Sequence, residues 1–168
     1  VDMNLVSTLG TTPGGVAETY LSLMKGNYLA PFPNYPLKID EVVVVRTKGT
    51  DVSFSVLSII FSKCVSSIPI REVKLSIDDV MNPQDFKEVR ERVRSLLSPG
   101  DYLDFTGGRK AISAAAALAA REAGAHLVST AVDQDTYARM NEVMMRIAKG
   151  EDVDPCNLLA NGRTIVFF

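Results

Sequence analysis

Residues 39–46 read IDEVVVVR, with four valines in succession. A strand with one wet face alternates apolar and polar residues. An unbroken β-branched run suits a strand buried on both faces, as in a parallel sheet. Upstream, residues 3–9 (MNLVSTL) form a short β-compatible run that stops at Gly10. Residues 15–25 have helical spacing, with Val16, Tyr20, Leu23 and Met24 on one side. Between them and the valine run, residues 26–37 (GNYLAPFPNYPL) carry Pro31, Pro33 and Pro36 and read as a loop.

Downstream the alternation continues. A helix over 51–65 opens at Asp51, and a strand follows over 70–77. Asn82-Pro83 starts a helix that runs to about Leu97, and Pro99-Gly100 breaks it. A short strand over 101–106, an alanine-rich helix over 109–123 closed by Gly124, and a strand over 125–132 come next. A helix over 133–149, a loop over 151–162 and a final strand, RTIVFF, complete the chain. The order βαβαβαβαβαβ predicts an α/β, Rossmann-like fold. Its mostly parallel six-stranded sheet carries helices on both faces, in a single domain over residues 1–168.

Composition removes several functions. The chain has 168 residues and a net charge of −2, which excludes coating of bulk nucleic acid by charge, though not a local basic pocket. A single histidine, His126, and two cysteines cannot build a Cys/His zinc site. Cys64 and Cys156 lack a CxxC arrangement and read as reduced thiols of a cytoplasmic protein. No apolar run reaches the ~18 residues of a membrane span, and the N-terminus lacks a signal-peptide layout.

In a doubly wound sheet, ligands bind beyond the C-terminal strand ends where strand order reverses, here expected between the first and fourth strands. Both strands run into glycine-rich turns: STLGTTPGG (7–15) and DFTGGRKAIS (104–113). In the first, Leu9, Gly10, Thr11, Thr12, Pro13 and Gly14 lead into a helix N-terminus suited to an anion. The spacing is neither GxGxxG nor a Walker loop, and the second strand ends in Arg46-Thr47 rather than the acid that holds the ribose of NAD. A plain strand-to-helix turn also favours Gly, Thr and Pro. In the second turn, Thr106, Gly107 and Gly108 precede Arg109 and Lys110, two cations in a first helical turn where the dipole disfavours them. An anion held against them accounts for that placement; two solvated surface cations are the alternative. Ser113, four residues past Arg109, faces the same way.

The pair of turns, and the D-x-T-G-G-R-K-x-x-S motif above all, resembles the CRISPR-associated Rossmann-fold (CARF) family, from the first strand to about residue 132. The resemblance implies a homodimer that binds cyclic oligoadenylate, the messenger of type III CRISPR defence, across its two-fold axis. With no effector domain following the sensor, the chain looks most like the stand-alone ring nucleases, which degrade the messenger, usually cyclic tetra-adenylate. The activity so implied uses no metal and no other cofactor. The substrate's own 2′-OH attacks and leaves a 2′,3′-cyclic phosphate. Lys110 and Arg109 would neutralise the phosphate, and Thr12 stands where such relatives often carry serine. The other reading is a non-catalytic sensor that acts through a partner.

Four further features have ordinary readings. Arg121 and His126 match R-x4-H, a ribonuclease signature of all-helical domains, but here Gly124 ends a helix and His126 opens a strand. Met140, Met144 and Met145 suit core or dimer surface. Tyr28, Phe32 and Tyr35 in the 26–37 loop either cover a ligand or pack on the sheet. Asp152, Asp154 and Asn157 lie in a loop that suits mobility.

Overall fold

The computed structural model describes residues 3–65, 68–159 and 162–168. Its strands are β1 (Asn4–Thr8), β2 (Glu41–Arg46), β3 (Ile70–Lys74), β4 (Tyr102–Asp104), β5 (His126–Ala131) and β6 (Arg163–Val166). Its α-helices are α1 (Gly14–Lys25), α2 (Asp51–Cys64), α3 (Pro83–Ser95), α4 (Lys110–Ala123) and α5 (Gln134–Ala148). The sheet order is β3-β2-β1-β4-β5-β6. All neighbours are parallel except β5 and β6, which run antiparallel. Strand order reverses between β1 and β4, as the alternation predicts.

The valine run shows why the sheet is covered twice. Val42 and Val44 enter one apolar cluster, with residues of α1, α2 and α5. Val43 and Val45 point the other way, into a cluster with α3 and α4. All four are at most 1% exposed. The alanines of α4 serve close approach to the sheet: Ala115, Ala116, Ala119 and Ala120 are fully buried.

β3 ends at Lys74, three residues earlier than the sequence pattern predicts; its partner β2 ends at Arg46, whose carbonyl takes the last bond, from Leu75 N–H. The 26–37 loop lies far from the glycine turns. Leu29 bridges to Ile165 of β6, the Tyr28 hydroxyl donates to the Tyr35 carbonyl, and the Phe32 ring sits 5.3 Å from that of His126. The loop joins the C-terminus of α1 to the start of β2, so topology places it at the opposite end of the sheet. Tyr28 and Phe32 pack there, while the Tyr35 side chain is exposed, away from the glycine turns.

Cys64 and Cys156 form a disulfide, which overturns the expectation of reduced thiols. Their separation along the chain is 92 residues, yet the end of α2 meets a 3-10 turn at Pro155–Leu158, bringing the Cα atoms to 5.6 Å. Asp154 joins them in the one grouping of metal-type side chains among the described residues, but the bonded sulfurs leave no ligand set. Asp154 instead caps the turn, accepting from Cys156 N–H. Met140 and Met144 are buried core, and Met145 is exposed. Among the described residues, no helix is long and apolar enough to cross a membrane.

Candidate functional site

The turns after β1 and β4 lock together through their backbones. A Cβ added to Gly107 would lie 2.7 Å from Gly10 N and 3.1 Å from the Thr8 carbonyl oxygen. One added to Gly10 would lie 2.8 Å from Gly108 N. Only glycine allows this approach, and Gly108 also has φ of 99°. Hydroxyls finish the joint: Thr8 donates to the Gly107 carbonyl, and Ser113 donates to the same carbonyl at 3.3 Å.

Asp104 anchors the joint from below. Its fully buried carboxylate accepts from Ser7 at 3.0 Å, from Thr106 N–H at 3.0 Å and from the Thr106 hydroxyl at 2.5 Å. Burial pushes its pKa up to about 6, against the lowering effect of those hydrogen bonds. The network continues outward. Thr106 receives Thr130 N–H, and Thr19, Thr130 and Thr164 share hydroxyl contacts at 2.7 and 2.8 Å.

Above the joint lies a cleft of about 490 Å³. Leu9, Gly10, Thr11 and Thr12 form one side of it, and Thr106, Gly107, Gly108 and Arg109 form another. Of the remaining expected residues, Pro13 and Gly14 are buried at the start of α1, with Gly14 against the Leu158 carbonyl. Ser113 supports the turn from α4. Lys110 is exposed at the first residue of α4 and makes no ion pair among the described residues, whereas Arg109 reaches Asp79 at 3.4 Å.

The third wall is one that motif reading missed. Arg46 comes from the last position of β2, Thr47 and Thr50 from the turn after it, Asp78 from the segment after β3, and Tyr137 from the first turns of α5. Burial works against the Arg46 charge, but Glu72 at 2.5 Å and Asp51 at 2.7 Å outweigh it and keep the guanidinium protonated. Arg46 also donates to the Thr47 carbonyl, which fixes the turn. Ser53 of α2 donates to the Gly10 carbonyl at 2.6 Å, tying this wall to the first glycine turn. The available signal was positional. Arg46 ends the strand beside β1, so topology alone carries it to this edge.

Helix ends add to the electrostatics. The N-caps of α2 and α4, Thr50 and Arg109, line the cleft and make no side-chain capping bond. Those of α3 and α5 do, through Asn82 and Asp133. Uncapped first turns leave N–H donors and partial positive charge for a ligand. The arrangement suits a phosphate-bearing molecule held by backbone amides, hydroxyls and a few cations.

The R-x4-H pair sits elsewhere. His126 stacks on Tyr102 at 4.5 Å and its Nδ1 lies 3.0 Å from the Phe168 carbonyl, while Arg121 covers the Phe168 ring. Both lie at the end of the sheet remote from the cleft, His126 opening β5 and Arg121 in the last turn of α4, as packing groups.

No protein-family model matches the chain. Over 146 residues it is 38% identical to a CRISPR system ring nuclease of Saccharolobus solfataricus, spanning 83% of this chain and 77% of the relative. That similarity runs through most of a fold whose glycine turns meet at one cleft, and at this identity and coverage the chain belongs to the CRISPR system ring nucleases.

Proposed function

We propose that the protein binds cyclic oligoadenylate, with cyclic tetra-adenylate favoured, and cleaves it without a metal, as a homodimer acting in the cytoplasm. The supporting observation is the joint of two glycine turns, which sets Thr12, Arg109 and uncapped helix ends around one cleft, with Lys110 opening α4 beside Arg109. In the reaction, a ribose 2′-oxygen attacks the adjacent phosphorus, the 5′-oxygen leaves, and a 2′,3′-cyclic phosphate and a 5′-hydroxyl result. The protein's part is to align attacking and leaving oxygens and to stabilise charge on the phosphorane. Thr12 holds the ribose, and Lys110 and Arg109 neutralise the phosphate. Two adenylates per subunit make a four-membered ring compatible with a two-fold dimer.

The test is incubation of purified protein with cyclic tetra-adenylate in EDTA, with separation of products. Linear adenylates ending in cyclic phosphate are expected; their absence at stoichiometric enzyme rejects the reading. A binding-only sensor is the second reading, favoured by Thr12, whose added methyl crowds its hydroxyl at the cleft wall. Tight binding without products selects it.

A further inference from the structure

Where the last residue of α2 meets the 3-10 turn at Pro155–Leu158, three side chains converge. Cys64, Cys156 and Asp154 bring two sulfurs and a carboxylate oxygen within 4.8 Å of one another, and none of the three lines the cleft. In the disulfide form the sulfurs are taken up by each other. Both cysteines are partly exposed, so a reductant can reach the bond.

The meeting does not depend on that bond alone. Leu158, in the turn, is fully buried in the same apolar cluster as Ile60 and Phe61 of α2, and its carbonyl lies against Gly14 of α1. Asp154 is fixed as the cap of the turn. Its Oδ1 accepts from Cys156 N–H at 3.0 Å, which leaves the other carboxylate oxygen for a ligand. Opening the bond therefore leaves two thiols and a carboxylate on a packed frame, two of them on the Asp-x-Cys stretch of one turn and the third 92 positions from Cys156. Zinc holds thiolate at about 2.3 Å and carboxylate at about 2.0–2.2 Å, so neighbouring ligands of a tetrahedral ion stand roughly 3.5–3.8 Å apart. Sulfurs released from each other can part to that spacing. Soft thiolates select zinc over magnesium or calcium, and three protein ligands leave the fourth position to water.

From this we infer a redox-gated zinc site: Cys64, Cys156 and Asp154 bind one zinc ion only when the disulfide is reduced. A dithiol supplies the two electrons and two protons that turn the disulfide into two thiols, and becomes a disulfide itself. Zinc then displaces the two thiol protons and binds both thiolates. The ion cross-links the same two elements as the bond it replaces. The site goes beyond the proposed ring-cleaving activity and does not depend on it.

Zinc and cobalt(II), each alone, are the probes. The full chain is reduced with a phosphine, freed of reductant in the absence of air, and titrated beside the untreated disulfide form. One zinc per chain is expected in the reduced protein, bound at least ~100-fold more tightly than by the disulfide form. Cobalt is expected to give thiolate-to-metal charge-transfer absorption in the near ultraviolet, in the reduced form only. Asp154→Asn keeps an oxygen for Cys156 N–H and is expected to weaken zinc about tenfold or more, and Cys156→Ser to weaken it further. Reduced protein that takes up no zinc, or takes up cobalt without the charge-transfer band, overturns the site. Wild-type affinity in either variant overturns it as well. Circular dichroism follows the fold throughout, and a reduced chain that unfolds and does not refold with zinc also overturns the inference.

Discussion

The two ends of the sheet are built by different means. At the C-terminal ends of β1 and β4, backbone meets backbone: Gly107 lies against Gly10, hydroxyls bridge the turns, and side chains are small. At the opposite end, aromatic rings do the packing, with Phe32, Tyr102 and His126 in one stack and Arg121 on Phe168. A motif of two residues at fixed spacing, such as R-x4-H, is satisfied by the second kind of end without any chemistry. The first kind leaves its trace in glycines, whose positions are dictated by close approach.

Each end can be challenged in turn. The largest effect is expected from Lys110→Ala, which removes the charge proposed to meet the phosphorane. Single-turnover cleavage of cyclic tetra-adenylate should slow by about 10²–10³-fold, and an unchanged rate would take Lys110 out of the reaction. Gly107→Ala forces a Cβ onto Gly10 N and should weaken ring binding about tenfold or more by titration, since the turns must separate.

At the far end, Cys64→Ser opens a loop closed across 92 positions of sequence and should cost up to about 4–5 kcal/mol in denaturant unfolding, with ring affinity retained in the folded protein. Beneath the joint, Asp104 binds a proton more tightly folded than unfolded. Its stabilising contribution is full below about pH 4 and is lost as pH rises through about 6, a span of roughly 3 kcal/mol. Asp104→Asn should flatten that slope in unfolding measured between those values. The smallest effect on catalysis is expected from His126→Gln. Cleavage rate and its pH profile should stay as in the wild type, and a lost acid or basic limb would return histidine to the mechanism.

Much of this architecture was legible. The valine run told of a strand covered on both faces, and strand–helix alternation put the reversal of order between β1 and β4. The glycine turns were legible because close backbone contact restricts residue type. Arg46 and Tyr137 were not, since a cleft wall built by side chains from β2 and α5 has no local spacing rule. Arg46 entered the reading only as the residue that is not a ribose-binding acid. The disulfide was hidden for the same reason as the wall: chain separation carries no information on which loops a crossover brings together.

Helix α2 is fastened at both extremities. Near its start, Ser53 grips the Gly10 carbonyl, and at its last residue Cys64 is bonded to Cys156. A 14-residue helix is about 21 Å long, close to the depth of the sheet it covers. It therefore acts as a strut, a stiff member pinned at two joints.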